Sequence, residues 1–159
     1  MDKKKLLTIL AKNARISAAH LASALGATEK EVEATIAAFE KDGTICGYDA
    51  VIDWEKADME VLKARIEVKV TPQKGQGFDE IARRIMAFDE VETLYLMSGN
   101  YDLAITVSGR SFKEVAMFVA QRLSPLEYVT STSTSFVLKK YKDSGIRMCG
   151  EEKDERGLV

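Results

Sequence analysis

The chain has 159 residues, enough apolar content for one or two compact cores, and a formal net charge of -2. That balance excludes a global attraction to nucleic acid or an anionic membrane, so any DNA contact has to come from a local basic patch. The only cysteines, Cys46 and Cys149, are far apart and form no CxxC, which suits a reducing cytosol and gives no disulfide framework.

The opening "MDKKKLLTILAKNARIS" starts like a signal peptide, but Lys12 interrupts the apolar run Leu6 to Ala11 before it reaches signal length. No other stretch is long enough to span a bilayer, and the expected compartment is the cytoplasm, with no membrane partner. Leu6, Leu7, Leu10 and Ala14 recur at helical spacing. Ser17 is placed to cap a second helix carrying Leu21, Ala22 and Leu25, which Gly26 ends.

Thr28 and Glu31 form a T-x-x-E capping box at the start of a third helix. Val32, Ile36 and Phe39 give that helix one apolar face, and Gly43 stops it. Three helices with a tight turn before the last make the pattern of a helix-turn-helix, sometimes of a generic tri-helical bundle, over residues 1–50.

"TICGYDAVIDW", residues 44–54, reads as a strand, and residues 51–60 as a strand and linker between domains. The period then switches. Leu62, Ala64, Ile66, Val68 and Val70 alternate with Lys63, Arg65, Glu67 and Lys69, the pattern of a half-buried strand. After the loop "TPQKGQG", Phe78, Ile81, Ala82, Ile85 and Met86 return to helical spacing. Two strands follow, "VETLYLM" and "DLAITVSG", around the turn "SGNY".

Ser111 caps another helix with Phe112, Val115, Ala116, Val119 and Leu123 inward, and "VTSTSTSFVLKKYK" is a last strand. The order over residues 61–142 is β-α-β-β-α-β, so the fold class is α+β, a helix-turn-helix domain followed by a ferredoxin-like sandwich. Residues 143–159 are rich in charge and Gly and read as a disordered tail.

The run "ISAAHLASALGATEKEVEATIAAFEKDGTICGY" resembles the Lrp/AsnC, or feast/famine, regulators and their "ISxxxLAxxxGxSxxxVxxRIxxLExxGxIxGY" pattern. "SGNYDLAITVSG" and "VTSTSTSFVLKKYKDSG" are similar to two further segments of that family, and the likeness covers roughly residues 2–143. The resemblance implies a transcription regulator that binds double-stranded DNA. It also implies a homodimer assembling to tetramers or octamers, with an amino acid or related metabolite as effector. A partner subunit is then expected over the sheet face that the chain's own helices leave open, with Tyr95, Met97 and Phe136 as candidates for burial there.

The DNA-contacting candidates are Lys3, Lys4, Lys5, Arg15, Ser17, Thr28, Glu29, Lys30, Glu33 and Ala34. The lysine run supplies either phosphate contacts or merely a solvated amino terminus. Glu29, Lys30, Glu33, Ala34, Ala37 and Lys41 face outward from the third helix, where DNA readers usually carry Arg, Lys, Asn or Gln. This helix has no Arg, and Thr35 stands where the family's run places one. That departure favours a second reading, a ligand-sensing or scaffold protein whose helix-turn-helix no longer grips DNA strongly.

The ligand candidates are Met97, Ser98, Gly99, Asn100, Tyr101 and Asp102: backbone N–H groups near Gly99 and Asn100 for a carboxylate, Asp102 for an ammonium. Residues alone favour a simple turn held by Asp102, and the resemblance reverses that preference. Thr130, Thr132 and Thr134 add possible hydroxyls.

His20 has no metal-ligand or catalytic companion, so no cofactor, no metal and no enzyme activity are expected. A sirohaem decarboxylase, which resembles the same family, would be expected to use histidines in the ferredoxin-like domain, and this chain has none there.

Overall fold

The structure, a computed structural model, describes residues 1–71 and 77–148. It divides into two compact units, Met1–Val51 and Ile52–Val159. Residues 72–76 of the "TPQKGQG" loop and the tail from residue 149 lie outside the described residues.

The first unit is three helices, α1 Lys3–Lys12, α2 Ala18–Leu25 and α3 Glu29–Asp42. Asp2 caps α1, its carboxylate accepting from the N–H groups of Lys4 and Lys5 at 3.0 Å each. Ser17 caps α2 as its position suggests, and Gly26 ends that helix at φ 61°, a left-handed conformation that costs a residue without Cβ little. The capping box on α3 is present in both directions: Glu31 N–H donates to the Thr28 hydroxyl, and Thr28 N–H donates to the Glu31 carboxylate at 2.8 Å. The Thr28 N–H and the Thr28 hydroxyl, each donating to the Glu31 carboxylate at 2.8 Å, hold that carboxyl below its ordinary range. Leu6, Leu10, Leu21, Ala22 and Val32 form the core of the unit, with Ile36, Phe39 and Ile45 packed against it.

The strand expected at residues 44–54 is not formed. Ile45 N–H instead donates to Phe39 C=O at 3.0 Å, so Thr44 and Ile45 complete the end of α3, and Ile45 joins the helical core. Beyond them, residues 46–53 have β-branched and aromatic side chains but no strand among the described residues to exchange ladder bonds with. The chain then turns at Trp54–Asp58, where Met59 N–H donates to Trp54 C=O at 3.0 Å.

The second unit is β1 Leu62–Val70, α4 Gly77–Met86, β2 Val91–Leu96, β3 Leu103–Gly109, α5 Phe112–Phe118 with a π-helical extension Val119–Leu123, and β4 Val129–Phe136. The four strands form one antiparallel sheet in the order β2-β3-β1-β4, the ferredoxin-like arrangement. The alternation read in β1 holds: Ala64, Ile66, Val68 and Val70 are buried beneath the helices, with Ile81 and Ile85 of α4, Leu103, Ile105 and Val107 of β3, and Val115 and Phe118 of α5. Each buried Ile, Leu, Val or Phe side chain contributes about 1.5–3 kcal/mol relative to exposure.

The helical spacings need three corrections. Met86 is 58% exposed, because α4 ends there and the side chain passes the rim of the core. In α5 and its extension the inward set is Val115, Phe118 and Leu123, with Val119 half-buried against the same core; Ala116 is exposed and Phe112 is 57% exposed, with its ring edge-on to Phe136. The step of five residues from Phe118 to Leu123 is that of a π turn, and Leu123 is buried as its spacing suggests. Residues 143–148, assigned to the disordered tail, belong to a short hairpin of β5 Lys142–Asp143 and β6 Ile146–Arg147. Its turn is Ser144–Gly145, both at positive φ (46° and 83°), the backbone a tight two-residue hairpin requires.

Candidate functional site

Register defines the face of the sheet turned away from the helices. Cross-strand partners share a face, so the row Tyr95, Ala104, Glu67, Ser133 and the row Thr93, Thr106, Arg65, Ser135 both lie on the open side. Tyr95 is 60% exposed there, and Met97 at the end of β2 is 41% exposed, which leaves both available to a partner. Phe136 does not share this face. It pairs with Ala64 on the helix side and packs against the core, so it is already covered within its own chain.

The segment 97–102 links β2 to β3 at one end of this face. Met97 N–H donates to Asp102 C=O at 2.8 Å and Asp102 N–H to Val68 C=O at 3.1 Å, which pins the base of the loop. The backbone N–H groups of residues 98–101 donate to no acceptor among the described residues. Gly99 takes φ 150°, a conformation that strains any L side chain. Lys69 reaches across from β1, its Nζ donating to Asn100 C=O at 2.9 Å.

Met97, Ser98, Gly99, Asn100 and Tyr101, with Arg65, Glu67 and Ala104 of the open face, line a cavity of about 300 Å³. Five of the six loop residues singled out in the sequence are thus brought together. The sixth, Asp102, is turned inward: its Oδ2 accepts from Val70 N–H at 2.9 Å, so its carboxylate closes the end of β1. Thr132 and Thr134 pair with Val68 and Ile66 on the helix-covered side, and the Thr130 hydroxyl donates to Lys69 C=O at 3.1 Å. None of the three lines the loop cavity.

Arg65, Glu67 and Ala104 carried no role in the sequence reading. Alternation placed Arg65 and Glu67 outward, but only the pairing of β1 with β3 sets them beside the loop. Two larger hollows, about 420 and 700 Å³, flank the Trp54–Asp58 turn. Of the lysines lining the first, Lys56, Lys63 and Lys140 pair with Asp53, Glu92 and Asp143, and Lys139 lies 5.3 Å from the centre of the Tyr141 ring; neither hollow includes the row of free backbone donors found at the loop.

In the helical unit, Lys3, Lys4 and Lys5 form the first turn of α1. Lys5 Nζ donates to Ala24 C=O at 3.1 Å and Lys3 Nζ lies 5.9 Å from the centre of the Phe39 ring, so two of the three lysines brace the helices. The Lys4 ammonium makes no bond among the described residues. Arg15 sits in the turn before α2, where its N–H donates to the Asn13 side chain at 3.1 Å.

The Ser17 hydroxyl is shared between His20 N–H and the His20 ring, 2.6 Å away, which gives the lone histidine a local structural partner. Glu29, Lys30, Glu33 and Ala34 are all exposed on α3, and the charged three form no ion pairs among the described residues. Thr35 is turned away from that surface, half-buried, with its hydroxyl donating to Glu31 C=O at 2.7 Å.

Among the described residues no helix is long and apolar enough to cross a membrane, and no group of three or more His, Cys, Asp or Glu is placed to hold a metal.

Residues 63–146 match the family model described as the Lrp/AsnC ligand binding domain. The chain is 48% identical over 156 residues to the HTH-type transcriptional regulator YugG of Bacillus subtilis, covering 98% of this chain and 94% of that one. Among solved structures, a transcriptional regulator of Neisseria meningitidis in complex with L-Met superposes with a TM-score of 0.70 at 23% identity, over 90% of this chain and 93% of the other. A feast or famine regulatory protein of M. tuberculosis complexed with L-methionine gives 0.71 at 22% identity, over 91% and 95%. With its fold, its loop cavity and these likenesses, the chain belongs to the Lrp/AsnC family of helix-turn-helix transcription regulators.

Proposed function

We propose that this regulator binds double-stranded DNA through residues 1–50 and takes up an amino acid, or a related small metabolite, through the ferredoxin-like residues 61–142, with 51–60 as the connection. The observation that carries the effector half is the cavity formed by Met97–Tyr101, whose unpaired N–H groups suit a carboxylate. A solved relative's L-methionine complex supports the same class of ligand.

The DNA half rests on the helix-turn-helix unit. Glu29, Lys30, Glu33 and Ala34 of α3 face bases, while Lys4, Arg15 and the capping residues Ser17 and Thr28 face phosphates. A second copy of the chain covers the open sheet face around Tyr95 and Met97, and pairing of units multiplies a modest affinity per helix-turn-helix. Effector binding then acts by population shift, favouring one arrangement of subunits and therefore one spacing of the α3 helices. Double-stranded fragments of the source genome, mixed with the purified protein across a salt series, are expected to be retained at low salt and released as salt rises. Retention of none, with or without amino acids, overturns the reading.

The exposed acidic face of α3 favours a second reading, a ligand sensor whose helix-turn-helix has become an interaction surface. Glu29→Lys with Glu33→Lys separates the two. Under the sensor reading the native chain shows no salt-dependent DNA binding and the variant gains it; under the regulator reading the native chain already binds specific fragments.

A further inference from the structure

Resting on the proposal that an amino acid enters the loop cavity, we infer that Glu67 receives the ammonium group of the effector and that Ala104 makes the room for it. Asp102 is the acid closest in sequence to the loop donors, but it lies outside the cavity lining and its carboxylate is bonded to Val70 N–H. Glu67 lines the cavity. Its Oε1 stands 3.5 Å from Arg65 Nη2, the long limit of a hydrogen bond, and its Oε2 bonds nothing among the described residues.

The register explains why space exists at this point. In the row Tyr95, Ala104, Glu67, Ser133, the methyl group of Ala104 lies between two long side chains, so the sheet surface is hollow over β3. Residues 98–101, whose N–H groups make no bond among the described residues, and Glu67 line the same cavity. A donor row and an acid facing one cavity match the carboxylate and ammonium of a zwitterion, each bond being charge-assisted.

The volume, about 300 Å³, is at the lower end of small-molecule pockets and suits an amino acid better than a nucleotide. The one cationic group in the lining, Arg65, already faces Glu67, and the remaining wall includes Met97, Tyr101 and Ala104. The ligand class is therefore an α-amino acid with an uncharged, largely apolar side chain.

The test is calorimetric titration of the full chain with each proteinogenic L-amino acid singly, followed by the desamino carboxylic acid matching the tightest binder. Glu67→Gln keeps the shape of the side chain and removes its charge. It is expected to weaken the amino acid about tenfold or more while leaving the desamino acid within about twofold of the native affinity. Glu67→Asp recovers part of the loss, and Ala104→Leu, which fills the hollow, abolishes binding of both compounds. Equal affinity of Glu67→Gln and the native chain for the amino acid, an equal loss for both compounds, or undiminished binding by Ala104→Leu overturns the inference alone. A native chain that binds no amino acid overturns the effector reading with it.

Discussion

Asp102 and Glu67 show how one chemical group takes two roles according to what its neighbours offer. The Asp102 carboxylate meets the N–H of Val70 where β1 ends, and its own backbone joins Met97 and Val68, so it serves the hairpin base. Asp102→Ala leaves the part-buried Val70 N–H without its acceptor and is expected to lower stability by about 1–3 kcal/mol in urea unfolding, with Asp102→Asn losing less. If Asp102→Ala unfolds like the native chain and loses only ligand affinity, the carboxylate faces the effector and the assignment to Glu67 is wrong. The sequence allowed either role, since an Asp beside a Gly-Asn turn can hold the turn by a local bond or pair with an ammonium. Deciding between them required the partner of its Oδ2, a contact 32 residues distant along the chain.

At the scale of elements, caps and alternation were legible because each depends on residues a few positions apart. Ser17, the Thr28–Glu31 box, Gly26, Gly43 and the β1 alternation all stand where short-range patterns place them. Features set by long-range pairing were not legible. The segment 44–54 has strand composition and no described partner strand, and α5 buries Phe118 while Phe112 and Ala116 stay exposed.

The bulge in β2 is of the same kind. Register shifts between Val91 and Thr93, and Glu92 is the extra residue. It bonds Lys63 of β1 at 2.7 Å and the hydroxyl of Ser108 of β3. Burial pushes the Glu92 carboxyl up, but the bonds from Lys63 and Ser108 outweigh it and hold the group below its ordinary range. A lowered folded-state pKa means that this contribution to stability is present above the ordinary glutamate value and is lost as pH falls through the folded value. Lys63→Met removes the chief downward influence, so the Glu92 carboxyl is expected to titrate at higher pH in a carboxyl-detected NMR titration. An unchanged midpoint would show that the pair does not hold the bulge.

For the whole molecule, the two cores are built from separate residues, Leu6 to Val32 in one and Ala64 to Leu123 in the other. Leu21, buried in the helical core, is the place to test their independence. Leu21→Ala is expected to destabilise the helical unit by about 2–5 kcal/mol. In hydrogen exchange the amides of α1 to α3 then lose protection while those of β1 and β3 keep theirs. Loss of protection in both units together would show one cooperative structure.

Fold class was readable because two different periodicities, helical and then strand-like, follow each other along the chain, and the family because the runs "ISAAHLASALGATEKEVEATIAAFEKDGTICGY" and "SGNYDLAITVSG" resemble its motifs. The loop cavity was only half readable, because its loop is continuous in sequence while Arg65, Glu67 and Ala104 reach it through register. The central claim joins the two units, DNA bound by one under the control of a small molecule bound by the other. Its most direct test is to recover and sequence the genomic fragments bound by the purified protein, with and without a mixture of amino acids. The expected result is a discrete set of enriched fragments whose membership or retention changes when amino acids are added; an unenriched genomic background, identical under both conditions, would contradict it.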